Sequence, residues 1–459
     1  MFFLNFAKIA QAEHNRTCSK LLRRSLSYAK ITKIVQYENT CNTFILSYSL
    51  FSGIFLKFAF DYYLAVFYMR RILTILYATL LCLTVISCGK DDDTLPVEDY
   101  NARTLLMYMP WSSNLTDDFR HNISDMEKSI SKNGLTNEKV VVFFATSPNE
   151  AEMFEIYCNN GICERKTLKR YASPACTTAA GITAILNDMK AFAPAETYSM
   201  TIGCHGMGWI PVNATRGMDR ATSRMMHWDY EGVPKTRFFG GSSAKYQTDI
   251  STLAEGIEDA GIRMEYILFD DCYMASVEVA FELKDVTNYL IGSTSEIMAY
   301  GMPYETMGRH LLGQPNYQAI CETFHDFYSS YEDMPCGTIS VTDCSQLDNL
   351  AFIMKEINSR YAFDSEQTPS LQRLDGYRPT LFYDLGDYVS HLCGDSELLQ
   401  AFNDQLSRAV PYKAHTDYFY SMSSGRIPIN TFSGITVSDP SQNSLATTKT
   451  STKWYKATH

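Results

Sequence analysis

An α/β fold with a mainly parallel central sheet is the fold class that this 459-residue sequence predicts. Its apolar runs, such as 103–109 and 139–145, are continuous rather than alternating, which is typical of strands buried on both faces of a parallel sheet. Segments with helical periodicity lie between these runs, as βαβ units require. Small and polar residues follow several runs directly, at the strand ends where open α/β sheets place their chemistry.

The alternation of strands and helices continues to about residue 300. Polar residues after Pro110 mark the start of the first helix, and Asp249 is placed to cap the third. Predicted strands are 103–109, 139–145, the run from Tyr198 that ends at His205, 266–269 and 289–296; predicted helices are about 116–132, 177–192 and 249–260.

A hairpin is predicted between the second strand and the second helix. Two runs, 153–157 and 165–170, flank Asn160-Gly161, a dipeptide that favours the tight turn of a two-residue loop. Cys158 and Cys163 lie on either side of this turn, so a disulfide between them can close the hairpin.

A change of pattern near residue 308 predicts a second subdomain. We place the main domain at 103–307 and a smaller mixed C-terminal subdomain at 308–459. Asp384 is placed to cap a helix there, and Tyr383 and Tyr388 are expected in the core or at an interface. Predicted helices are 315–331, 345–360, 384–393 and 396–409, and predicted short strands are 337–341 and 433–437.

Charge is distributed unevenly along the chain. The first 88 residues contain 10 basic and 3 acidic residues and so carry a net charge of +7. Because the net charge of the whole chain is −11, the remaining residues carry −18. An acidic body argues against nucleic acid as a partner, because it repels phosphates, and favours ligands with Lys or Arg side chains.

The N-terminal part resembles a bacterial export leader. Residues 69–88 contain two arginines, an apolar stretch and Val85-Ile-Ser-Cys88, which resembles a lipobox whose cysteine is acylated. We therefore expect a lipoprotein signal peptide at 69–88, lipidation at Cys88 and a linker at 89–102; a single transmembrane helix is the alternative. Residues 1–68 are interpreted as an over-extended start outside the natural protein.

These features predict a protein of the bacterial cell envelope, held at the outer membrane by its lipid. Lys90-Asp-Asp-Asp93 follows the acylated cysteine and resembles a short acidic signal for export to the cell surface. A plain solvated linker explains the same four residues, so surface exposure stays open.

Two of the predicted strands end at residues suited to nucleophilic catalysis. One run ends at His205-Gly206, and the other runs through Asp270 to Cys272. Parallel neighbours would place imidazole and thiol side by side, the arrangement that activates a cysteine nucleophile. The backbone N–H groups of Gly206 and Cys272 could form an oxyanion hole.

Blander explanations exist for each residue alone. Buried cysteines are common and inert, and a single histidine such as His205 is more often structural. Asp271 beside Cys272 is expected to be structural, and Trp209 to pack beneath the turn at His205. It is the joint position of His205 and Cys272 at two strand ends that favours catalysis.

No resident metal is predicted. The cysteines show no two-residue spacing and no nearby histidine pair, so zinc is disfavoured. Nine cysteines remain after those at 18, 41, 82 and 88 are set aside, and an odd number in an exported protein indicates a free thiol.

The motif His205-Gly-Met-Gly-Trp209 followed by Asp270-x-Cys272 resembles the clostripain family of cysteine peptidases, within the caspase–legumain–gingipain superfamily. Further matching motifs are Leu105-Leu-Met-Tyr-Met109, Met274 with Val277-Glu278, Ser293-Thr-Ser-Glu296, Gly301-x-Pro-Tyr304, Phe382-Tyr-Asp-Leu-Gly-Asp-Tyr388 and Trp454-Tyr-Lys-Ala-Thr458. The resemblance covers about residues 101–459. It implies a caspase-like α/β/α sandwich and a Cys-His dyad, His205 and Cys272.

The resemblance also implies cleavage of protein or peptide substrates after Arg or Lys. Asp270 matches the motif and is the first candidate for the acid that binds the basic side chain; Glu296 is the second. Family members are zymogens that cut themselves between the two catalytic strands. The basic segment 210–247 lies in that interval, with Arg216, Arg220 and Arg224 as processing candidates, although a plain insertion is the alternative.

Cofactors are not expected, although some relatives are activated by calcium and no calcium-loop motif occurs in the sequence. Two rival functions remain. One is a catalytically silent peptide-binding module of the same fold at the cell surface, and the other is a caspase-fold peptidase with non-basic specificity.

Overall fold

The computed structural model describes residues 101–212, 246–332 and 334–459, which all belong to one compact unit, Pro96–His459. The expectations for 1–68, the signal peptide 69–88 and lipidation at Cys88 therefore lie outside the described residues. No helix in the described part of the chain has the length and apolar character needed to cross a membrane.

A nine-stranded sheet organises the described chain, in the order β10-β8-β7-β6-β5-β1-β2-β3-β4. Its strands are β1 Asn101–Met109, β2 Glu138–Ser147, β3 Glu150–Asn159, β4 Ile162–Ala172, β5 Ala195–Ile202, β6 Met264–Phe269, β7 Thr287–Gly292, β8 Thr338–Asp343 and β10 Tyr412–His415. Strands β2, β1, β5, β6 and β7 run parallel, and antiparallel strands flank them on both sides. The predicted α/β class with a mainly parallel centre is confirmed.

Two small sheets of two strands each accompany the nine-stranded sheet in the described residues. They pair β11 with β12 and β9 with β13. Their bounds are β9 Tyr383–Asp384, β11 Tyr418–Ser421, β12 Gly425–Pro428 and β13 Thr436–Val437.

Helices cover the sheet on both faces. They are α1 Thr116–Asn133, α2 Ala179–Phe192, α3 Ile250–Asp259, α4 Val277–Leu283, α5 Tyr304–Leu311, α6 Tyr317–Ser329, α7 Leu347–Arg360, α8 Leu385–Leu392, α9 Ser396–Ala409 and α10 Lys453–Thr458. Helices α1, α5 and α6 pack together, and α2 packs on α3. The cap predicted at Asp384 forms, because its side chain accepts an N–H from the first turn of α8, and Ser276, which was not predicted, caps α4 in the same way.

The position of β1 near the centre of the sheet explains why its residues 105–109 are all apolar rather than alternately apolar and polar. Leu106 and Tyr108 enter the core on one face of the sheet, and Leu105, Met107 and Met109 enter the core on the other. Because successive side chains of a strand point to opposite faces, a strand between two helical layers needs apolar residues at every position.

The predicted hairpin forms at β3 and β4, and a disulfide joins Cys158 to Cys163 across it. Asp249 differs from expectation. It stands at the start of α3 but makes no capping bond, because its Oδ1 accepts the backbone N–H of Val212 at 2.7 Å instead.

The C-terminal segment is tied closely to the first part. Residues 308–459, predicted as a smaller subdomain, contribute β8 and β10 to the central sheet. Strand β8 pairs antiparallel with β7, with Val341 opposite Ile291. The two predicted regions therefore share one sheet.

Candidate active site

Strands β5 and β6 bring the two candidate catalytic residues to one edge of the sheet. The parallel register places Ile202 opposite Phe269, and His205 and Cys272 each follow three residues later. The backbone N–H of Asp270 donates to the Ile202 carbonyl at 2.8 Å, which continues the pairing one residue beyond the strand. The sequence prediction that both residues leave neighbouring strand ends agrees with this register.

The two loops also touch directly. A side-chain carbon placed on Gly206 would lie 2.1 Å from the Cys272 carbonyl oxygen and 2.7 Å from its backbone nitrogen. Such distances are far inside van der Waals contact, so only glycine fits at position 206. The turn after His205 therefore packs on the backbone of Cys272.

Asn114 is the side-chain partner of His205. The imidazole is 1% exposed, and its Nε2 lies 2.8 Å from Asn114 Oδ1. Asn114 belongs to a short 3₁₀ helix, Ser113–Leu115, that follows β1. The sequence analysis missed this residue, although a polar run directly after a buried strand was the signal that could have found it.

Cys272 is fully buried, and its sulfur faces the loop after β7. The backbone N–H of Ile297 donates to Sγ at 3.3 Å. A hydrogen bond to sulfur favours the charged thiolate over the neutral thiol. Ile297 is thus a second neighbour that sequence reasoning missed.

The residue after Cys272 has a strained backbone. Tyr273 has a φ of +63°, a region that bulky side chains rarely adopt. Its N–H donates to the Ser295 carbonyl at 3.0 Å, and its ring stacks on Phe382 with centroids 5.0 Å apart. Strain of this kind costs about 1–3 kcal/mol and persists where the surroundings impose it, often at functional sites.

Asp270 is fully buried below the site. Its Oδ1 accepts the backbone N–H of Met302 at 2.9 Å. The carboxylate thereby links the Cys272 strand to the loop that follows β7. A buried carboxylate two residues before Cys272 has the charge that a Lys or Arg side chain would seek.

Glu296 lies in a dense hydrogen-bond network. Tyr273 and Ser421 donate their hydroxyls to Oε1 at 2.8 and 2.5 Å, and the Met422 N–H donates to Oε2 at 3.1 Å. The side chain is 6% exposed. Glu296 therefore joins the Cys272 loop to β11, more than a hundred residues away in sequence.

Comparisons with known proteins identify the family to which the chain belongs. The family model of the clostripain family, Peptidase_C11, matches residues 107–409 and so includes both candidate catalytic residues. The chain belongs to the clostripain family of cysteine peptidases. Comparison with the curated proteins gave no match.

Solved structures of clostripain-family proteins are similar to this chain. A secreted C11 cysteine protease from Bacteroides thetaiotaomicron, iotapain, is 59% identical, with a TM-score of 0.72, over 78% of this chain and 100% of its own. An inactive zymogen C11 protease from Parabacteroides distasonis is 24% identical, with a TM-score of 0.65, over 78% of this chain and 99% of its own. The latter supports the fold alone. The predicted caspase-like clostripain fold is thus confirmed.

The clostripain motif residues Trp209 and Glu278 meet through Ser438. The Trp209 indole N–H donates to the Ser438 hydroxyl at 2.9 Å, and the Ser438 backbone N–H donates to Glu278 Oε1 at 2.7 Å. Burial, and to a smaller extent the charge of nearby Asp439, raise the pKa of Glu278 to about 8. Trp209 is 8% exposed, as expected for a residue that packs beneath the turn.

Some predicted sites cannot be placed. Arg216, Arg220 and Arg224 lie within 213–245, outside the described residues. Within 101–212, 246–332 and 334–459, no group of three His, Cys, Asp or Glu side chains is arranged to hold a metal ion.

Proposed function

We propose that this clostripain-family protein is an endopeptidase in which Cys272 is the nucleophile and His205 the general base and acid. The shared register of β5 and β6 carries the proposal, because it sends both residues from the same edge of the sheet. Membership of a cysteine peptidase family supports the chemistry.

The reaction needs only groups of this chain and water. His205 takes the proton of the Cys272 thiol, and the thiolate attacks the carbonyl carbon of the scissile peptide bond. The imidazolium then gives its proton to the leaving amine as the C–N bond breaks. A water molecule, deprotonated by His205, attacks the thioester, and the thiolate leaves with the acid product released.

The oxyanion formed in each step needs backbone donors. We assign this role to the N–H groups of Gly206 and Cys272, which lie in two loops packed on each other. Removal of one donor in such a hole typically costs about 10²–10³ in rate.

Cleavage after Arg or Lys is the specificity we propose, with Asp270 as the principal acid of the pocket. Asp270 stands two residues before Cys272 in the clostripain motif, and its carboxylate accepts the Met302 N–H, whereas Glu296 accepts hydrogen bonds that hold Tyr273, Ser421 and Met422 together. Glu296 is therefore the second candidate. A carboxylate that pairs with guanidinium or ammonium discriminates strongly against neutral side chains.

We further propose that the chain is a precursor that cuts itself within 210–247, after Arg216, Arg220 or Arg224. The burial of both His205 and Cys272 supports a covered site before processing. Val212 and Asp249 are bonded to each other at the two ends of 213–245. Because β5 and β6 are paired in the sheet, the two fragments should stay together after the cut.

The test compares the chain with its Cys272→Ala variant. Both are incubated with fluorogenic peptides ending in Arg, Lys, Asp or Asn, with calcium or with a chelator, and fragments are identified by mass spectrometry. The proposal expects cleavage within 210–247 and after Arg or Lys by the wild type alone. Turnover of Asp or Asn peptides would favour non-basic specificity, and binding without any cleavage would favour a silent peptide-binding module.

Anchoring at the cell envelope through Cys88 is a separate proposal. It rests on Val85-Ile-Ser-Cys88 alone, since 69–88 lies outside the described residues. Wild type and Cys88→Ser are compared by detergent phase partitioning and intact mass. A lipid-mass increase that the variant lacks is expected, together with the absence of peptides from 1–68.

A further inference from the structure

We propose that Asn114 is a positioning residue for His205, holding the neutral imidazole in the tautomer with its hydrogen on Nε2 and its lone pair on Nδ1. The inference rests on the proposed function, because it assigns how the proposed base is kept ready. Its basis is the 2.8 Å contact between Asn114 Oδ1 and His205 Nε2.

The chemistry of the contact fixes the direction of the bond. A carboxamide oxygen accepts hydrogen bonds and cannot donate them, so the Nε2 atom that faces it carries the hydrogen. A neutral imidazole has only one N–H, which leaves the basic lone pair on Nδ1. A base in the wrong tautomer cannot accept the thiol proton, so fixing the tautomer contributes to the rate.

The fold places Asn114 for this task. Strands β1 and β5 are parallel neighbours with Tyr108 opposite Ile202, and the Gly203 N–H donates to the Tyr108 carbonyl at 3.0 Å. The Ser112 hydroxyl donates to the Pro110 carbonyl at 2.9 Å and turns the chain after β1. The turn brings the 3₁₀ helix of Asn114 over the loop of His205.

Three variants separate positioning from a general effect on folding. Asn114→Ala removes the acceptor, and Asn114→Asp keeps an acceptor but adds a negative charge. Asn316→Ala is the matched control, because Asn316 directly precedes α6 and its Oδ1 accepts the Ala319 N–H there. The titratable groups of the facing loop, Asp270, Asp271, Cys272 and Tyr273, are unchanged in these three variants.

The kinetic readout is the pH dependence of kcat and kcat/KM on an Arg or Lys peptide. Asn114→Ala should lower kcat by about 10–100-fold, the usual scale for loss of a group that orients a histidine, with KM little changed. The acidic limb of the pH profile of Asn114→Ala should move to lower pH, because the His205 imidazolium loses a hydrogen-bond acceptor that stabilises its charge. Asn114→Asp should retain most activity and move the acidic limb to higher pH.

A second readout does not depend on activity. The ¹⁵N shifts of the His205 ring, recorded in a Cys272→Ala background, report which nitrogen carries the hydrogen. The Nε2–H form is expected with Asn114 and a mixture of tautomers with Asn114→Ala. An Nδ1–H form with Asn114 present, or unchanged kcat and shifts in Asn114→Ala, would overturn the proposal while leaving the peptidase function intact.

Loss of the proposed function has a different signature. A wild type that cleaves nothing would remove the catalytic role, yet the ring shifts would still show whether Asn114 fixes the tautomer. A drop in activity of the same size in Asn316→Ala would instead show that the Asn114 effect is not local.

Discussion

A hydrogen bond joins Cys204 to Asp271, the residues that immediately precede the two candidate catalytic side chains. The backbone N–H of Cys204 donates to Asp271 Oδ1 at 2.6 Å, and both residues are buried. Hydrogen bonds to a buried carboxylate are stronger than neutral ones. The bond therefore fixes the His205 loop relative to the Cys272 loop, which is the structural role that the sequence suggested for Asp271.

The first prediction concerns this bond. Asp271→Ala removes a buried acceptor from the Cys204 N–H and should lower the free energy of unfolding by about 1–3 kcal/mol. Activity should fall as well, because the two loops lose their common anchor. Asp271→Asn keeps an oxygen of the same shape and should lose less of both. Urea unfolding and kcat/KM of the three proteins check this, and equal losses for Asn and Ala would contradict it.

A second prediction concerns Gly206. Gly206→Ala places a carbon 2.1 Å from a backbone oxygen that cannot move as a side chain can. Activity should be abolished, because Cys272 must shift. Gly313→Ala is the control, since Gly313 has a φ of +63° but no atom within 4 Å of an added carbon. It should cost about 1 kcal/mol of stability and leave kcat/KM near that of wild type. An active Gly206→Ala protein would exclude tight packing of the two loops.

The sequence predicted the part of this arrangement that depends on local patterns. Apolar runs identified the central strands, and the strand ends identified His205 and Cys272. Asn114 was missed because its role depends on β1 lying beside β5, and a single sequence does not state strand order. The short hairpin of β11 and β12 was missed because its strands have four residues each and little alternation.

Long-range polar contacts were the least predictable part. Glu296 was selected as a possible pocket acid. Ser421 and Met422, which donate hydrogen bonds to it, lie on a distant segment with no motif of their own. Asp249 was expected to cap a helix, and the N–H of Val212 competed successfully for its carboxylate. The charge of a carboxylate can be read from the sequence, whereas its hydrogen-bond partners depend on how the chain folds.

A third prediction separates the two candidate acids. Asp270→Asn keeps an acceptor for the Met302 N–H but loses the charge, so kcat/KM for Arg and Lys peptides should fall by about 10²-fold or more. Glu296→Gln should mainly reduce stability, because its oxygens hold Tyr273, Ser421 and Met422. Peptide turnover and thermal unfolding of both variants are measured together. A larger loss of turnover in Glu296→Gln than in Asp270→Asn would reverse the assignment.

The last prediction concerns the pH dependence of stability through Glu278. Its pKa is raised by burial to about 8 in the folded protein, against about 4.5 for an ordinary glutamate. Part of this raised pKa comes from nearby Asp439, whose own pKa is raised by burial, and Lys449 donates to carbonyls close by. The folded state therefore keeps a proton that the unfolded state releases between these two pH values.

The sign follows from this difference in bound protons. The stabilisation of the folded protein by protonated Glu278 is fully present below about pH 4.5 and is lost as pH rises through about 8. Each unit of difference between the folded and unfolded pKa values corresponds to about 1.4 kcal/mol. Glu278→Gln cannot ionise and keeps an oxygen for the Ser438 N–H, so its free energy of unfolding should exceed that of wild type by a few kcal/mol at pH 9, with the excess falling to about 1 kcal/mol or less near pH 5. Denaturant unfolding from pH 5 to 9 measures this, with exposed Glu366→Gln as the control. An excess that does not change with pH would show that Glu278 stays ionised in the folded protein, its charge held by the Ser438 N–H and its neighbours.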